Sequence, residues 1–124
     1  MINLVVKKLR KKGRGVFANR TFQKGEVVEV CPVIVIPKKD SPFIEKTIMD
    51  FYWYDWGSKE DSAIVLGYGS LYNHSFTPNV EWVEDVKNNQ MLFKAIKKIR
   101  KGQEIMFNYN GTGRRRVGMI KSRR

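Results

Sequence analysis

The chain of 124 residues predicts a mostly β single domain, and three observations carry that reading. Short runs rich in β-branched residues recur along its whole length, turn signals built on Gly, Pro and Asn separate them every ten residues or so, and only one segment carries a helical pattern. A hydrophobic fraction of 42% and fifteen aromatics spread along the chain suffice for one compact core and leave no room for a second catalytic module.

Leu4-Val5-Val6 predicts a first strand that gives way to a polar turn in the basic stretch Lys7 to Arg14. Gly13-Arg14-Gly15 then breaks the chain before Val16-Phe17-Ala18, where glycines permit positive φ and a close approach to the backbone. Thr21 to Glu26 reads as a turn, and Val27 to Ile36 as two extended runs interrupted at Pro32 and closed by Pro37. Asp40-Ser41-Pro42 signals a helix start, with Ser41 at the N-cap and Pro42 at the first helical position. Ile44, Ile48, Phe51 and Tyr52 fall at helical spacing on one face and lead into the aromatic cluster Tyr52 to Trp56.

Ala63 to Ser70 is apolar and then glycine-rich, which suits irregular backbone. Val80 to Glu84 alternates as a half-buried strand, Asp85 to Asn89 turns a hairpin, and Met91 to Ala95 returns. Lys101-Gly102 turns the chain into a last strand, Glu104 to Tyr109. Residues 1–111 are thus expected to form the domain and 112–124 a basic tail that frays or orders on a partner.

Charge narrows the partners. There are 24 Lys and Arg against 12 Asp and Glu, a formal net charge of +12. Lys7 to Arg14 holds six bases, Lys94 to Lys101 five and Arg114 to Arg124 six, with no acid in any of them. Such blocks either attract nucleic acid or serve solubility alone. No apolar run approaches a membrane span or a signal peptide, so an intracellular protein without a membrane partner is expected. One cysteine, Cys31, and one histidine, His74, cannot supply the usual four zinc ligands, and Cys31 reads as a small core residue.

Two stretches read as a site. Leu71-Tyr72-Asn73-His74-Ser75-Phe76-Thr77-Pro78-Asn79 holds the only histidine, and about thirty residues on stands Gly102-Gln103-Glu104-Ile105-Met106-Phe107-Asn108-Tyr109. Asn-His-Ser-x-x-Pro-Asn followed at that distance by Gly-Gln-Glu-Ile-x-x-x-Tyr closely resembles the paired C-terminal motifs of the SET-domain protein lysine methyltransferases. Gly13-Arg14-Gly15 matches the Gly-x-Gly motif that the family keeps near the N-terminus. The likeness covers nearly the whole chain and is nearest to small stand-alone viral and bacterial members.

The resemblance implies a SET fold, with several small sheets around a knot-like crossing of the two C-terminal motifs and one short helix in the insert. It implies S-adenosylmethionine as methyl donor, the lysine side chain of a protein as acceptor, and no metal. Tyr109 would stand at the reaction centre, its hydroxyl orienting methyl and amine. A phenol of ordinary pKa, about 10, is too fully protonated at neutral pH to be a strong base. Gly13, Arg14, Gly15, Asn73 and His74 match cofactor-binding positions, with Arg14 beside the donor's carboxylate and His74 bracing the crossing. Asn79 and Glu104 would hold that crossing from within.

For the substrate channel the resemblance points to Tyr52, Trp82 and Phe107, the last at the position that limits how many methyl groups are added. Core packing explains the aromatic cluster equally well, with Tyr54 standing where the family has phenylalanine. No cysteine-rich module flanks the domain, so the tail or a second chain must complete the channel, and a homodimer is one way to do so. The positive charge suits a basic peptide substrate poorly unless Glu81, Glu84, Asp85, Asp50 and Asp55 form an acidic patch. An alternative function is a nucleic-acid-binding or chromatin-associated module of this fold with weak or no methyl transfer. Either function places the protein in the cytoplasm, or in a host nucleus if the source is viral.

Overall fold

The computed structural model describes residues 2–11 and 13–110. Strands β1 (Leu4–Leu9) and β2 (Gly13–Ala18) form an antiparallel hairpin, and β3 (Val27–Ile36) follows. After a short helical insert come β4 (Trp53–Trp56), β5 (Asp61–Val65), β6 (Asn73–His74), β7 (Val80–Asp85), β8 (Gln90–Ala95) and β9 (Met106–Phe107). One five-stranded sheet has the order β4-β5-β3-β8-β7, and β6 pairs with β9 in parallel. The mostly β, several-sheet architecture read from the sequence is borne out.

Five local expectations are corrected. β1 does not stop at Val6 but runs through Lys7, Lys8 and Leu9, because β2 pairs with it as far as Leu9↔Gly13. Exposed lysines cost a paired edge little, and the Lys7 ammonium lies 5.2 Å from the centre of the Phe17 ring. Phe22, placed in a turn by the sequence, is fully buried and bridged to Ile99, and the turn proper is at Lys24-Gly25.

β3 is one strand of ten residues rather than two runs, and Pro32 is where it changes partner. Val27 to Pro32 lies along β8, and Val33 to Ile36 along β5. A residue without an N–H is tolerated at such a handover. The Pro32 carbonyl accepts from the Leu66 N–H at 2.9 Å, and the Val33 N–H passes to the Asn89 carbonyl at 3.1 Å.

The expected helix is fragmented into a 3-10 turn at Lys38–Asp40, α1 (Ser41–Ile44) and a second 3-10 turn at Ile48–Phe51. Asp40, not Ser41, holds the N-cap position of α1. Thr47 divides the pieces: its hydroxyl donates to the Ile44 carbonyl at 2.8 Å and accepts from the Met49 N–H at 3.1 Å. That local competition with the helix leaves Ile48 67% exposed instead of on a buried face. The last strand is also shorter than expected, because Glu104 bridges back to Phe17 and only Met106 and Phe107 pair as β9.

The core is aromatic. Tyr54, Tyr72, Phe93, Phe107 and Tyr109 are all buried and in ring contact with one another. Cys31 is a core residue as expected; burial first, then the neighbouring Glu29 carboxylate, pushes its thiol pKa far up, so it stays protonated. No helix among the described residues is long and apolar enough to cross a membrane. The tail expected at 112–124 lies outside the described residues.

Candidate functional site

The two C-terminal motifs lie side by side. β6 and β9 pair as Asn73↔Met106 and His74↔Phe107, and beyond them the Ser75 N–H donates to the Phe107 carbonyl at 2.9 Å. Asn79 brackets Ile105 from both sides, its side-chain amide donating to the Glu104 carbonyl at 2.8 Å and accepting from the Met106 N–H at 2.9 Å. These are the internal bonds expected of Asn79.

The glycine motif meets the same place through Asn73, which is almost fully buried. The two hydrogens of its amide go to the Arg14 carbonyl at 2.8 Å and to Glu104 Oε2 at 2.7 Å. One side chain thus ties β2, β6 and the segment before β9 together. Both donors are used inside the protein, so any contact Asn73 makes to a ligand runs through its other atoms. Gly15 is required for space: a Cβ there would collide with Glu104 Oε2 and lie 2.9 Å from Leu9 Cδ1 and 3.1 Å from Asn73 Nδ2. Gly13 is different, with φ of +79° and nothing within 4 Å of where a Cβ would be, so its backbone stands open beside the exposed Arg14.

Tyr109 is 1% exposed. Its N–H donates to His74 Nδ1 at 3.0 Å, and its hydroxyl donates to the Tyr72 carbonyl at 2.8 Å. Because Nδ1 accepts, a neutral His74 carries its proton on Nε2, and its first duty is to hold Tyr109. The Tyr109 proton is committed to the Tyr72 carbonyl.

Trp82 and Phe107, the expected channel residues, come together. Their rings are 5.4 Å apart, Phe107 is 4.8 Å from Tyr109, and Tyr54 stacks on Phe107 at 5.7 Å with 14° between planes. Tyr52 packs half-buried against the same core at the end of the second 3-10 turn. Several of the acids read as a peptide-facing patch bind the protein itself. Glu84 accepts from the Gly57 N–H at 2.6 Å and Asp50 from the Trp53 indole at 3.0 Å. Asp85 binds the side chains of Asn88 and Gln90, which hold its carboxyl below its ordinary pKa. Among the described residues no group of His, Cys, Asp or Glu could hold a metal.

Sequence reasoning missed Glu29. Its carboxylate accepts from the Tyr72 hydroxyl at 2.5 Å and from the Tyr68 N–H at 2.9 Å, next to Gly67, where a Cβ would stand 2.5 Å from Glu29 Oε2. Burial, and then the Glu29 charge, raise the Tyr72 phenol well above its usual pKa, so it remains the donor. A raised pKa stabilises the fold below the unfolded value, about 10, and that stability is lost as pH climbs toward the folded value. A chain of contacts thus runs from Glu29 to Tyr72, whose carbonyl fixes Tyr109. A lone acid inside the apolar run Val27 to Ile36 was the available signal.

Glu29→Gln is expected to destabilise by about 2 kcal/mol, since an amide oxygen cannot replace both carboxylate oxygens and its NH2 would face a donor. Urea unfolding should show a lower midpoint at unchanged slope; an unchanged midpoint would remove Glu29 from the network.

A family model described as "SET domain" matches residues 13–110. The histone-lysine N-methyltransferase, H3 lysine-37 specific, of Schizosaccharomyces pombe is 31% identical over 107 residues, which cover 86% of this chain and 72% of that protein. The H3 lysine-36 specific histone-lysine N-methyltransferase of Gibberella zeae is 31% identical over 118 residues, covering 87% of this chain but 13% of that protein. A crystal structure of a Plasmodium falciparum protein, named as a candidate histone methyltransferase, superposes with a TM-score of 0.69 at 33% identity, covering 88% of this chain and 94% of that one. CpSET8 of Cryptosporidium, with a TM-score of 0.70, 24% identity and 86% and 56% of the two chains covered, shares the fold.

Proposed function

The chain belongs to the SET-domain family, and from that premise we propose that it transfers a methyl group from S-adenosylmethionine to the lysine side chain of a protein. The observation that carries the proposal is the joining of all three motifs by Asn73, with the Tyr109 hydroxyl fixed by Tyr72 and its ring against Phe107, which in turn touches Trp82. When bound, the cofactor supplies an electrophilic methyl on a sulfonium.

The residues present fit such a group. The open backbone at Gly13, the exposed Arg14 and the Gly15 peptide would line its amino-acid end, with Arg14 facing the carboxylate. Asn73 and His74 would flank it from β6. The remaining task of the protein is alignment, because an in-line displacement between two held groups gains most from orientation. Tyr109, its proton held by Tyr72, offers lone pairs to the hydrogens of the incoming amine and to the electropositive methyl. Aromatic walls strip water from the lysine, and desolvation favours its neutral, nucleophilic form. Tyr52, Trp82 and Phe107 would make those walls. The apolar edge of Phe107 leaves room where a phenol would hold water, which allows more than one methyl to be added.

The alternative, a nucleic-acid-binding module of this fold without methyl transfer, gives no use to a Tyr109 hydroxyl braced through Tyr72 and Glu29. Calorimetric titration with S-adenosylmethionine tests the proposal; no binding at about millimolar cofactor, a free energy of only about 4 kcal/mol, sinks it. An intracellular location goes with this reading.

A homodimer is a further part of the proposal. On the outer face of the five-stranded sheet, Val83, Leu92 and Val30 align across three strands, and Ile34, Ile64 and Trp53 across three. Val30 and Ile34 are about half exposed. Sedimentation is expected to give a dimer that Val30→Glu with Ile34→Glu converts to monomer; a monomeric native chain at concentrations of full activity removes the dimer.

A further inference from the structure

We propose that the β1–β2 hairpin and residues 96–102 form one phosphate-binding face for double-stranded DNA. Lys8, Arg10 and Lys11 are all exposed on the hairpin, where Lys7 points to the other side over Phe17, and Lys97, Lys98, Arg100 and Lys101 are all exposed on the second segment. The fold makes these two runs, some ninety residues apart in sequence, into neighbours. The Ala18 N–H donates to the Gln103 carbonyl at 2.9 Å, the Gly102 N–H to the Ala18 carbonyl at 2.8 Å, and Phe22 and Ile99 exchange bonds at 2.8 and 2.9 Å. The second segment is therefore stitched to β2, whose other edge carries β1.

Among the described residues no ion pair neutralises these cations. All twelve acids lie between Glu26 and Glu104. Six of them fall from Asp40 to Asp61, in the insert, β4 and the start of β5, and three fall on β7, so the acids gather at the two edges of the large sheet. The ion pairs between described residues are Arg20–Glu26 and Lys38–Glu60, neither of which includes one of these cations. Lys94, by contrast, sits opposite Glu81 and is left out of the face. Lys8 and Arg14 stand directly across from each other in the hairpin register. Like charges so placed oppose the fold, and a polyanion relieves them.

Spacing and composition favour a duplex. From Lys8 to Leu4, which pairs with Ala18 where the second segment attaches, is four residues of strand, about 13 Å, close to the width of a major groove. Cations at the two ends can then meet phosphates on both sides of one groove. Among the exposed large hydrophobic residues only Val6 lies on the hairpin and none lies within 96–102, which is too little for an apolar anchor on a lipid surface.

The inference goes beyond methyl transfer and does not rest on it, because binding is read without cofactor. Fluorescence anisotropy of a duplex of about 20 bp, with salt raised from about 50 to about 200 mM, gives the slope of log affinity against log salt for the full chain. The triples K8Q/R10Q/K11Q and K97Q/K98Q/K101Q each keep residues 111–124 intact. Each is expected to make that slope shallower by roughly 2 to 3 and to weaken binding at least about tenfold, with the thermal midpoint nearly unchanged. A slope unchanged in either triple overturns the proposal, as binding would then belong to other residues. Equally tight binding to phosphatidylserine-containing vesicles at the same salt overturns it in favour of a lipid surface.

Discussion

Tyr109→Phe is expected to slow methyl transfer by about a hundredfold or more, while cofactor affinity moves little. The ring keeps its place against Phe107 and His74, so what is lost is one oxygen. That oxygen is held by the Tyr72 carbonyl at 2.8 Å and so needs no reorganisation as the reacting groups meet. Loss of such a pre-set polar group typically costs about 3 kcal/mol of transition-state stabilisation. The variant also leaves the Tyr72 carbonyl without this donor in a buried place, so stability should fall by about 1 to 3 kcal/mol. Single-turnover kinetics and urea unfolding on the same preparation separate the two effects. Normal turnover would show that the hydroxyl only braces the fold.

Gly15→Ala is expected to destabilise by about 3 kcal/mol, the upper end for an overpacked methyl. The cause is space rather than backbone angle. A Cβ there meets Glu104 Oε2, and that carboxylate cannot retreat without giving up the Asn73 amide. Displacing Asn73 frees the Arg14 carbonyl, so S-adenosylmethionine affinity should drop at least about tenfold together with the melting temperature. Gly13→Ala is the control: it is strained by its φ of +79° but meets open space, and should cost only about 1 to 2 kcal/mol. Equal effects from the two substitutions would mean that Gly15 is not packed as described.

Local geometry was legible where a residue type answers a local demand. The β7–β8 hairpin follows from the alternation of Val80 to Glu84 and a turn that ends on Asn89 at φ +50°, and the turn before the last motif from Gly102 at φ +94°. What local pattern could not supply was competition between partners. Pro32 looks like an end but is a transfer point, because strand β3 finds a second neighbour in β5. The helix read over Ile44 to Tyr52 fails at Thr47, whose hydroxyl bonds backbone on both sides. The meeting of Asn73, Arg14 and Glu104 was legible only through family resemblance, since no periodicity relates residues so far apart. Glu29 escaped even that, because its role depends on a hydroxyl 43 positions away.

The parallel pairing of β6 with β9 also bears on how the chain folds. The hairpins β1–β2, β4–β5 and β7–β8 join near neighbours and can form early and quickly. A two-residue parallel ladder cannot nucleate itself. It must wait for the loop of more than thirty residues between His74 and Phe107 to close around the β7–β8 hairpin. The crossing of the two C-terminal motifs is therefore the last part to assemble. Synthesis from the N-terminus delivers Gly13 and Asn73 long before Tyr109 exists, so a nascent chain ending short of Met106 carries every hairpin but not the β6–β9 pairing.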